Sequence, residues 1–280
     1  MERKSFLGLS ASGAFHRINY WQQGPSDGPV LLCVHGLTRN GRDFDAVADR
    51  FADNWRVVCP DIVGRGDSDR LANPDLYGYP QYLADLTALI ARLNVDKVAW
   101  LGTSMGALLG MFMAAGQGTP VERLLMNDAG PVVTKDSLQR IAAYLGGTPD
   151  FADMAQAEAY IRQVHAPFGP LTDEQWAHLA RHSVHENGEG RFVLKYDPAI
   201  AKPFQGAVNQ GLVLWPVWDA VACPVTVIRG ARSDLLTAET VMEMSERGPR
   251  AKVHEVAGVG HAPALMSTDQ LDLVEAWLQD

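Results

Sequence analysis

The chain has 280 residues, enough for one large domain or for a core domain with an insertion. Its 47% apolar and 20% charged residues are typical of a globular protein with a substantial core. The net charge is −9 and the lysines and arginines are scattered, which argues against a nucleic-acid partner. No apolar run approaches the roughly 18–20 residues of a transmembrane helix, which argues against a membrane partner.

The amino-terminal residues predict a pair of strands. The segments "KSFLGLS" and "AFHRINYW" flank a turn of small residues. The apolar part of this region is short and interrupted by Gly and Ser, unlike the hydrophobic region of a signal peptide. We therefore expect the segment to belong to the fold and the protein to be cytoplasmic.

Short runs rich in Val, Ile and Leu predict the strands of a central sheet. These runs are 29–36, 55–61, 97–104, 123–128, 224–230 and 251–258. They are continuously apolar instead of alternating, which is typical of parallel strands buried on both faces. Helical patterns lie between them, such as the apolar stripe that follows Tyr82 and the almost wholly apolar "SMGALLGMFMAAG". This alternation predicts an α/β fold with a mostly parallel, doubly wound sheet.

The strand pattern stops after Asp128. The chain then carries helical patterns punctuated by Pro and Gly, one of which begins with capping-box spacing at Thr172 and Gln175. A helical block between two strands of a sheet predicts a cap inserted before the last two strands. We expect a core formed by residues 1–130 and 219–280, and a helical cap formed by residues 131–218.

Two segments fit the pattern G-x-S-x-G, "GPSDG" around Ser26 and "GTSMG" around Ser104. Ser26 lies among turn-forming residues between two predicted strands. Ser104 ends a buried strand and opens a helix, the setting that projects a serine hydroxyl at the carboxyl edge of the sheet. The amides at the start of that helix favour developing negative charge. Ser104 is therefore the candidate nucleophile.

A serine hydroxyl needs a base to accept its proton, and the base needs an acid to orient it. His261, in "AGVGHAPAL", lies in a Gly-rich loop after the last predicted strand and is the candidate base. Asp234, in "IRGARSDLLT", follows the next-to-last strand and gives the chain order Ser, Asp, His, so we favour it as the acid. Asp128, which ends the strand after the nucleophile helix, stays the alternative.

An oxyanion hole requires two backbone N–H groups near the reacting carbon. One is expected from Met105, the residue after the nucleophile, and the other from the loop that follows "VLLCVHG". In that loop His35 and Gly36 allow a tight turn, and the amide of Leu37 is the candidate donor. The alternative is that "HGLTRN" is only a polar exit from the strand.

The motifs "HGLTRN", "DIVGRGDSD", "GTSMG", "RGARSD" and "GVGHAP", in this order, resemble those of the α/β-hydrolase superfamily, and in particular its capped bacterial esterases and C–C hydrolases. The resemblance spans essentially the whole chain outside the cap. It implies the α/β-hydrolase fold and a Ser-His-Asp hydrolase with neither a metal nor an organic cofactor. The expected reaction is cleavage of a carboxylic ester of a small to medium, largely apolar substrate through an acyl-enzyme on Ser104.

Other functions stay open at this stage. A hydrolase of C–C bonds could use the same three residues, but it would need a cation for the substrate carboxylate, for which Arg39, Arg162 and Arg181 are candidates. An acyltransferase or a ligand receptor without activity could keep the same fold. His178 and His182 are four positions apart in a predicted helix, yet two ligands fall short of a zinc site.

Overall fold

The computed structural model describes residues 1–204 and 210–280, so the predicted cap range contains five positions, 205–209, that lie outside the described residues. The strands of the described part are β1 (Glu2–Leu9), β2 (Phe15–Gln23), β3 (Val30–Val34), β4 (Arg56–Pro60), β5 (Val98–Thr103), β6 (Val121–Asn127), β7 (Val132–Val133), β8 (Asp150–Phe151), β9 (Val184–Glu186), β10 (Phe192–Leu194), β11 (Leu212–Val213), β12 (Val225–Gly230) and β13 (Lys252–Val256). The helices of the described part are α1 (Asp45–Phe51), α2 (Tyr79–Leu93), α3 (Met105–Ala114), α4 (Lys135–Ala142), α5 (Met154–Val164), α6 (Asp173–Ser183), α7 (Ala201–Phe204), α8 (Trp215–Asp219), α9 (Ala238–Glu246) and α10 (Thr268–Gln279).

In the described part of the chain, eight strands form the central sheet in the order β1-β2-β4-β3-β5-β6-β12-β13. The hairpin of β1 and β2 is antiparallel, and β2 joins β4 antiparallel. All pairings from β4 to β13 are parallel. The predicted α/β class, the mostly parallel sheet and the amino-terminal hairpin are therefore confirmed. Parallel strands joined by helical crossovers bring their carboxyl ends to one edge, and this edge carries Ser104, Asp128 and His261.

The core has one layer on each face of this sheet, because successive side chains of a strand point to opposite faces. In β3, Leu32 and Val34 pack into the layer that contains helices α2 and α3. Leu31 and Cys33 pack into the opposite layer, with residues of α1 and α10. All four side chains are completely buried. Among the described helices, none has both the length and the apolar character that crossing a bilayer requires.

Between β6 and β12 the described chain adds no strand to the central sheet. It contains helices α4 to α8 and two small sheets, β8-β10-β9 and β11-β7. The capping box of α6 is confirmed: the amide of Gln175 donates to Thr172 Oγ1 over 3.2 Å, and the amide of Thr172 donates to Gln175 Oε1 over 2.9 Å. The short strands of this segment are not evident in the sequence, because two or three residues show no periodicity. We retain the division into core and cap as a proposal.

Candidate active site

Ser104 lies in the sharp turn between β5 and α3. Its backbone has φ of 53° and ψ of −114°, a region that is strained for a residue with a side chain. Gly102 and Gly106 flank the serine, and each lies too close to a neighbouring backbone segment to carry a side chain. A Cβ atom at Gly106 would lie 1.9 Å from the carbonyl oxygen of Val34, and one at Gly102 would lie 2.3 Å from the carbonyl carbon of Gly106. The packing of this turn therefore requires glycine at both flanking positions of the G-x-S-x-G motif.

Three side chains from separate parts of the chain form a continuous hydrogen-bonded row. His261 Nε2 lies 2.9 Å from Ser104 Oγ, and His261 Nδ1 lies 2.7 Å from Asp128 Oδ2. The Asp128 side chain is completely buried, and that of His261 is 11% exposed. The imidazole can therefore accept the serine proton on one nitrogen while the other donates to the carboxylate.

The Asp128 carboxylate is bound by further donors. Its Oδ1 accepts from the amide of Gly230 over 2.8 Å, and its Oδ2 accepts from Ser233 Oγ over 2.6 Å. Ser233 Oγ in turn accepts from the amide of Leu236 over 3.1 Å, which orients the hydroxyl toward the carboxylate. These contacts offset the cost of burying the carboxylate and fix its position against His261.

The expectation that Asp234 is the partner of His261 is wrong. The Asp234 side chain is half exposed and forms an ion pair with Arg140 of helix α4, whose Nη2 donates to Asp234 Oδ1 over 2.9 Å. The loop after β12 does reach the site, but through the neighbouring Ser233. The alternative acid, Asp128, follows β6, which lies between the strand of Ser104 and β12 in the sheet. No sequence pattern points to Ser233, because its contact with Asp128 depends on this strand order.

Asn127 is a second residue that the sequence analysis missed. Its buried Nδ2 donates to Thr103 Oγ1 over 3.0 Å and to the carbonyl oxygen of Pro263 over 2.8 Å. Thr103 directly precedes the candidate nucleophile, and Asn127 directly precedes Asp128. One amide group therefore connects the three segments that carry the hydrogen-bonded row.

The two expected oxyanion donors lie beside Ser104. Leu37 and Met105 line the same cavity as the serine. Among the described residues, neither the Leu37 amide nor the Met105 amide donates a backbone hydrogen bond in a turn, loop or cap. Met105 is the first residue of α3, where an amide has no partner within the helix. A Cβ atom at Gly36 would be 3.6 Å from Ser104 Cβ, so this loop passes close to the serine.

His35 holds the loop that contains Leu37. Its Nδ1 donates to the carbonyl oxygen of Gly36 over 2.7 Å, and its Nε2 accepts from the amide of Ile62 over 3.0 Å. Complete burial lowers the pKa of the His35 imidazole from 6.5 to about 4. The neutral ring is needed for this arrangement, since only a neutral imidazole can donate with one nitrogen and accept with the other.

A cavity of about 230 Å³ opens at Ser104. Its walls are mostly aliphatic and aromatic side chains from the core and from the inserted segment, among them Leu108, Leu138, Ile141, Ile200, Phe204 and Leu235. This volume is below the roughly 300–1,000 Å³ of sites for drug-sized ligands. The cavity therefore suits a short, largely apolar group attached to the reacting carbon.

The remaining candidates from the sequence lie elsewhere. Ser26 is exposed in the turn between β2 and β3. Arg39 is buried and makes paired hydrogen bonds to Asp43, of 2.8 and 2.6 Å. Arg162 binds Glu158 and Asp173, and Arg181 is exposed. Arg39 and Arg162 thus already have carboxylate partners from the chain itself.

Comparison with known proteins gives consistent results. Residues 31–276 match the model of a family described as the alpha/beta hydrolase family. The chain is 43% identical to a 3-hydroxybutyrate-oligomer hydrolase of Cupriavidus necator, over 96% of this chain and 95% of the relative. A crystallised protein of Rickettsia typhi superposes with a TM-score of 0.93 at 32% identity, covering 100% of this chain and 99% of its own. An alpha/beta hydrolase of Novosphingobium aromaticivorans superposes with a TM-score of 0.87 at 35% identity, covering 99% and 98%.

Proposed function

The chain belongs to the alpha/beta hydrolase family, and on this premise we propose that it is a serine hydrolase that cleaves carboxylic esters through an acyl-enzyme on Ser104. The observation that carries the proposal is the hydrogen-bonded row from Ser104 through His261 to Asp128, at the mouth of an apolar cavity. We assign Ser104 as the nucleophile, His261 as the base and Asp128 as the acid that orients it.

The first half of the reaction acylates the serine. His261 Nε2 accepts the Ser104 proton as Oγ attacks the ester carbon, and the Asp128 carboxylate stabilises the resulting imidazolium. The amides of Leu37 and Met105 donate to the carbonyl oxygen as it becomes negative, each contributing about 3 kcal/mol of transition-state stabilisation. His261 then gives the proton to the leaving alcohol, and the carbon–oxygen bond of the ester breaks.

The second half releases the acid. A water molecule takes the position of the departed alcohol and loses a proton to His261 Nε2 as it attacks the acyl carbon. The second tetrahedral intermediate uses the same two amides. Its collapse returns the proton to Ser104 Oγ and frees the carboxylic acid. Neither half requires a metal or an organic cofactor in this scheme.

We propose esters of short 3-hydroxyalkanoic acids, including their oligomers, as the substrate class. The support is the 43% identity over nearly the full length of a 3-hydroxybutyrate-oligomer hydrolase. The cavity of about 230 Å³, whose walls include Leu108 and Leu138, agrees in size and polarity with short acyl units. Long-chain acyl esters would exceed this space, so we expect turnover to fall as the acyl chain lengthens.

The C–C hydrolase reaction has less support. It needs a cation that is free to bind a substrate carboxylate, and Arg39, the candidate nearest to the oxyanion loop, is already paired with Asp43 and donates to Ser183 Oγ over 2.6 Å. The completeness of the hydrogen-bonded row likewise argues against a ligand receptor without activity. An acyltransferase would use the same acyl-enzyme with an alcohol in place of water.

The test uses the purified full-length protein with p-nitrophenyl butyrate and with the dimer and trimer of 3-hydroxybutyrate. We expect release of p-nitrophenol and of free 3-hydroxybutyrate. Ser104→Ala should lower kcat by about six orders of magnitude, since the residues of such a triad act as a unit. Ser26→Ala is the matched control and should keep wild-type rates.

Two results would reject parts of this proposal. Full activity of Ser104→Ala would remove the serine assignment. Turnover of p-nitrophenyl butyrate without release of 3-hydroxybutyrate would leave a serine esterase but reject the hydroxyalkanoate substrates. Product analysis with added methanol distinguishes an acyltransferase, which would form the methyl ester in preference to the acid.

A further inference from the structure

A cluster of three side chains with metal-binding atoms lies outside the candidate active site. It consists of Asp45 from helix α1 and of His178 and His182 from helix α6. One carboxylate oxygen and one ring nitrogen from each histidine all lie within 4.8 Å of one another. All three residues are partly buried. The sequence offered only the two histidines, and the fold supplies the third ligand.

Helix geometry brings the two histidines together. Positions four apart lie on the same face of a helix, and the ring centroids of His178 and His182 are 4.7 Å apart. This face of α6 packs against the turn that precedes α1: His178 Nε2 donates to the carbonyl oxygen of Arg42 over 3.0 Å and lies 3.5 Å from Asp45 Oδ2. A metal ion bound at Nε2 would take the place of the proton that Nε2 now donates to Arg42. The carboxylate therefore faces the imidazole pair.

Arg42 is the competing partner of Asp45. Its Nε donates to Asp45 Oδ1 over 2.8 Å, and its guanidinium also reaches Oδ2. Ligand carboxylates in metal sites are themselves hydrogen-bonded by such outer partners. Asp45 Oδ2 also accepts from Arg42 Nε over 3.0 Å, so a cation at Oδ2 would replace two Arg42 hydrogen bonds while the bond from Nε to Oδ1 remains. Its guanidinium is additionally held over the Trp21 ring, 4.5 Å from the centroid, which limits its movement toward the histidines.

From this arrangement we propose that Asp45, His178 and His182 form a binding site for a divalent transition-metal ion such as Zn²⁺. Two imidazoles and one carboxylate are a donor set that zinc accepts, with water as a fourth ligand. Mg²⁺ and Ca²⁺ prefer oxygen donors and should bind poorly. The bound ion would connect α1 of the predicted core to α6 of the predicted cap. The site has no role in the hydrolytic mechanism proposed above.

The test measures zinc binding without any substrate, so its result does not depend on the proposed hydrolase activity. Tag-free, full-length protein is treated with a chelator, dialysed and titrated with ZnCl₂ by calorimetry. We expect one saturable site per chain, and a rise in Tm of about 5 °C when zinc is in large excess over its Kd. Excess Mg²⁺ should not compete.

Variants assign the ligands. His182→Gln and Asp45→Asn should each weaken zinc binding by on the order of a hundredfold, because each removes a ligand atom. His185→Gln is the matched control, since His185 is exposed on β9 just after α6 and should leave binding unchanged. Co²⁺ should give visible absorption bands with the wild type that disappear in His182→Gln. Tm values without metal show whether each variant is folded.

The proposal is overturned if the wild-type protein shows no saturable binding of Zn²⁺. It is also overturned if a folded His182→Gln binds zinc as well as the wild type does, or if His185→Gln loses binding to the same extent. Should Asp45→Asn fail to fold after losing its Arg42 contact, His178→Gln takes its place and must show the same hundredfold loss.

Discussion

Asp128 Oδ2 and His261 Nδ1 lie 2.7 Å apart, although 133 positions separate the two residues in the chain. Their strands, β6 and β13, are not neighbours, because β12 lies between them in the sheet. The loop that follows β13 therefore has to cross over the end of β12 to bring the imidazole to the carboxylate. Ser233, in the loop after β12, is placed to bind the same carboxylate oxygen at this crossing.

The acid assignment predicts unequal effects at the two aspartates. Asp128→Asn should lower kcat for p-nitrophenyl butyrate by about four orders of magnitude, because an amide favours the wrong tautomer of His261. Asp234→Asn breaks only a half-exposed ion pair with Arg140 and should stay within about twofold of the wild type. Initial rates of both folded variants check this. Equal activity of Asp128→Asn and the wild type would contradict the assignment.

Ser233 is predicted to be a positioning residue for the acid. Ser233→Ala removes the hydroxyl that donates to Asp128 Oδ2 and should lower kcat by roughly ten- to a hundredfold, since a hydrogen bond to a carboxylate contributes about 1.5–3 kcal/mol. KM should change little, because Ser233 does not line the cavity. Ser233→Thr retains the hydroxyl and should recover part of the loss. If Ser233→Ala raises KM and leaves kcat unchanged, the positioning role is incorrect.

The turn at Ser104 predicts a strong steric effect. Gly106→Ala puts a Cβ atom 1.9 Å from the Val34 carbonyl oxygen and should lower the free energy of unfolding by at least about 3 kcal/mol, or prevent folding. Gly188→Ala is the control, because a Cβ atom there meets nothing within 4 Å, and its effect should stay within about 0.5 kcal/mol. Urea denaturation of both variants measures this. Tolerance of Gly106→Ala would mean that the backbones are farther apart.

The buried His35 should make part of the free energy of unfolding depend on pH. Burial lowers the pKa of His35 from 6.5 to about 4, so between these values the unfolded chain binds a proton that the folded chain excludes. The stability from His35 is therefore present above pH 6.5 and decreases as the pH falls toward 4. By linkage, its loss between pH 7.5 and pH 5 is about 2 kcal/mol.

The measurement compares urea unfolding of the wild type and of His35→Gln at these two pH values. The difference in unfolding free energy between the two proteins should shrink by about 2 kcal/mol at pH 5, because the variant has no imidazole to protonate. Most other titrating groups are common to both proteins and cancel in this difference. A difference that does not depend on pH would contradict the prediction.

Much of the fold could be predicted because its signals are local. A continuous apolar run such as "VLLCV" identifies a strand buried on both faces, and the spacing of Thr172 and Gln175 identifies the start of α6. Ser104 is recognisable for the same reason, since it follows such a strand in a segment rich in glycine. His261 is recognisable only from its Gly-rich loop, because β13 is a partly exposed strand at the sheet edge and contains polar residues. These properties are visible in a window of about ten residues.

The acid could not be chosen from the sequence because the choice depends on strand order. Asp128 and Asp234 both lie between Ser104 and His261 in the chain and both follow a strand of the same sheet, so chain order does not separate them. Only the folded sheet shows which carboxylate the His261 loop reaches. The Asp45 cluster is similar, since contact between α1 and α6 does not follow from periodicity.

The side chain of Asn127 joins the segments that carry the hydrogen-bonded row. With one amide group it sets the mutual register of the nucleophile turn, the acid loop and the histidine loop. We expect a substitution at this position to change the relative positions of Ser104, Asp128 and His261, although the Asn127 side chain makes no hydrogen bond to Ser104 or His261. In the proposed mechanism, the alignment of these groups thus depends on a residue that performs no chemistry.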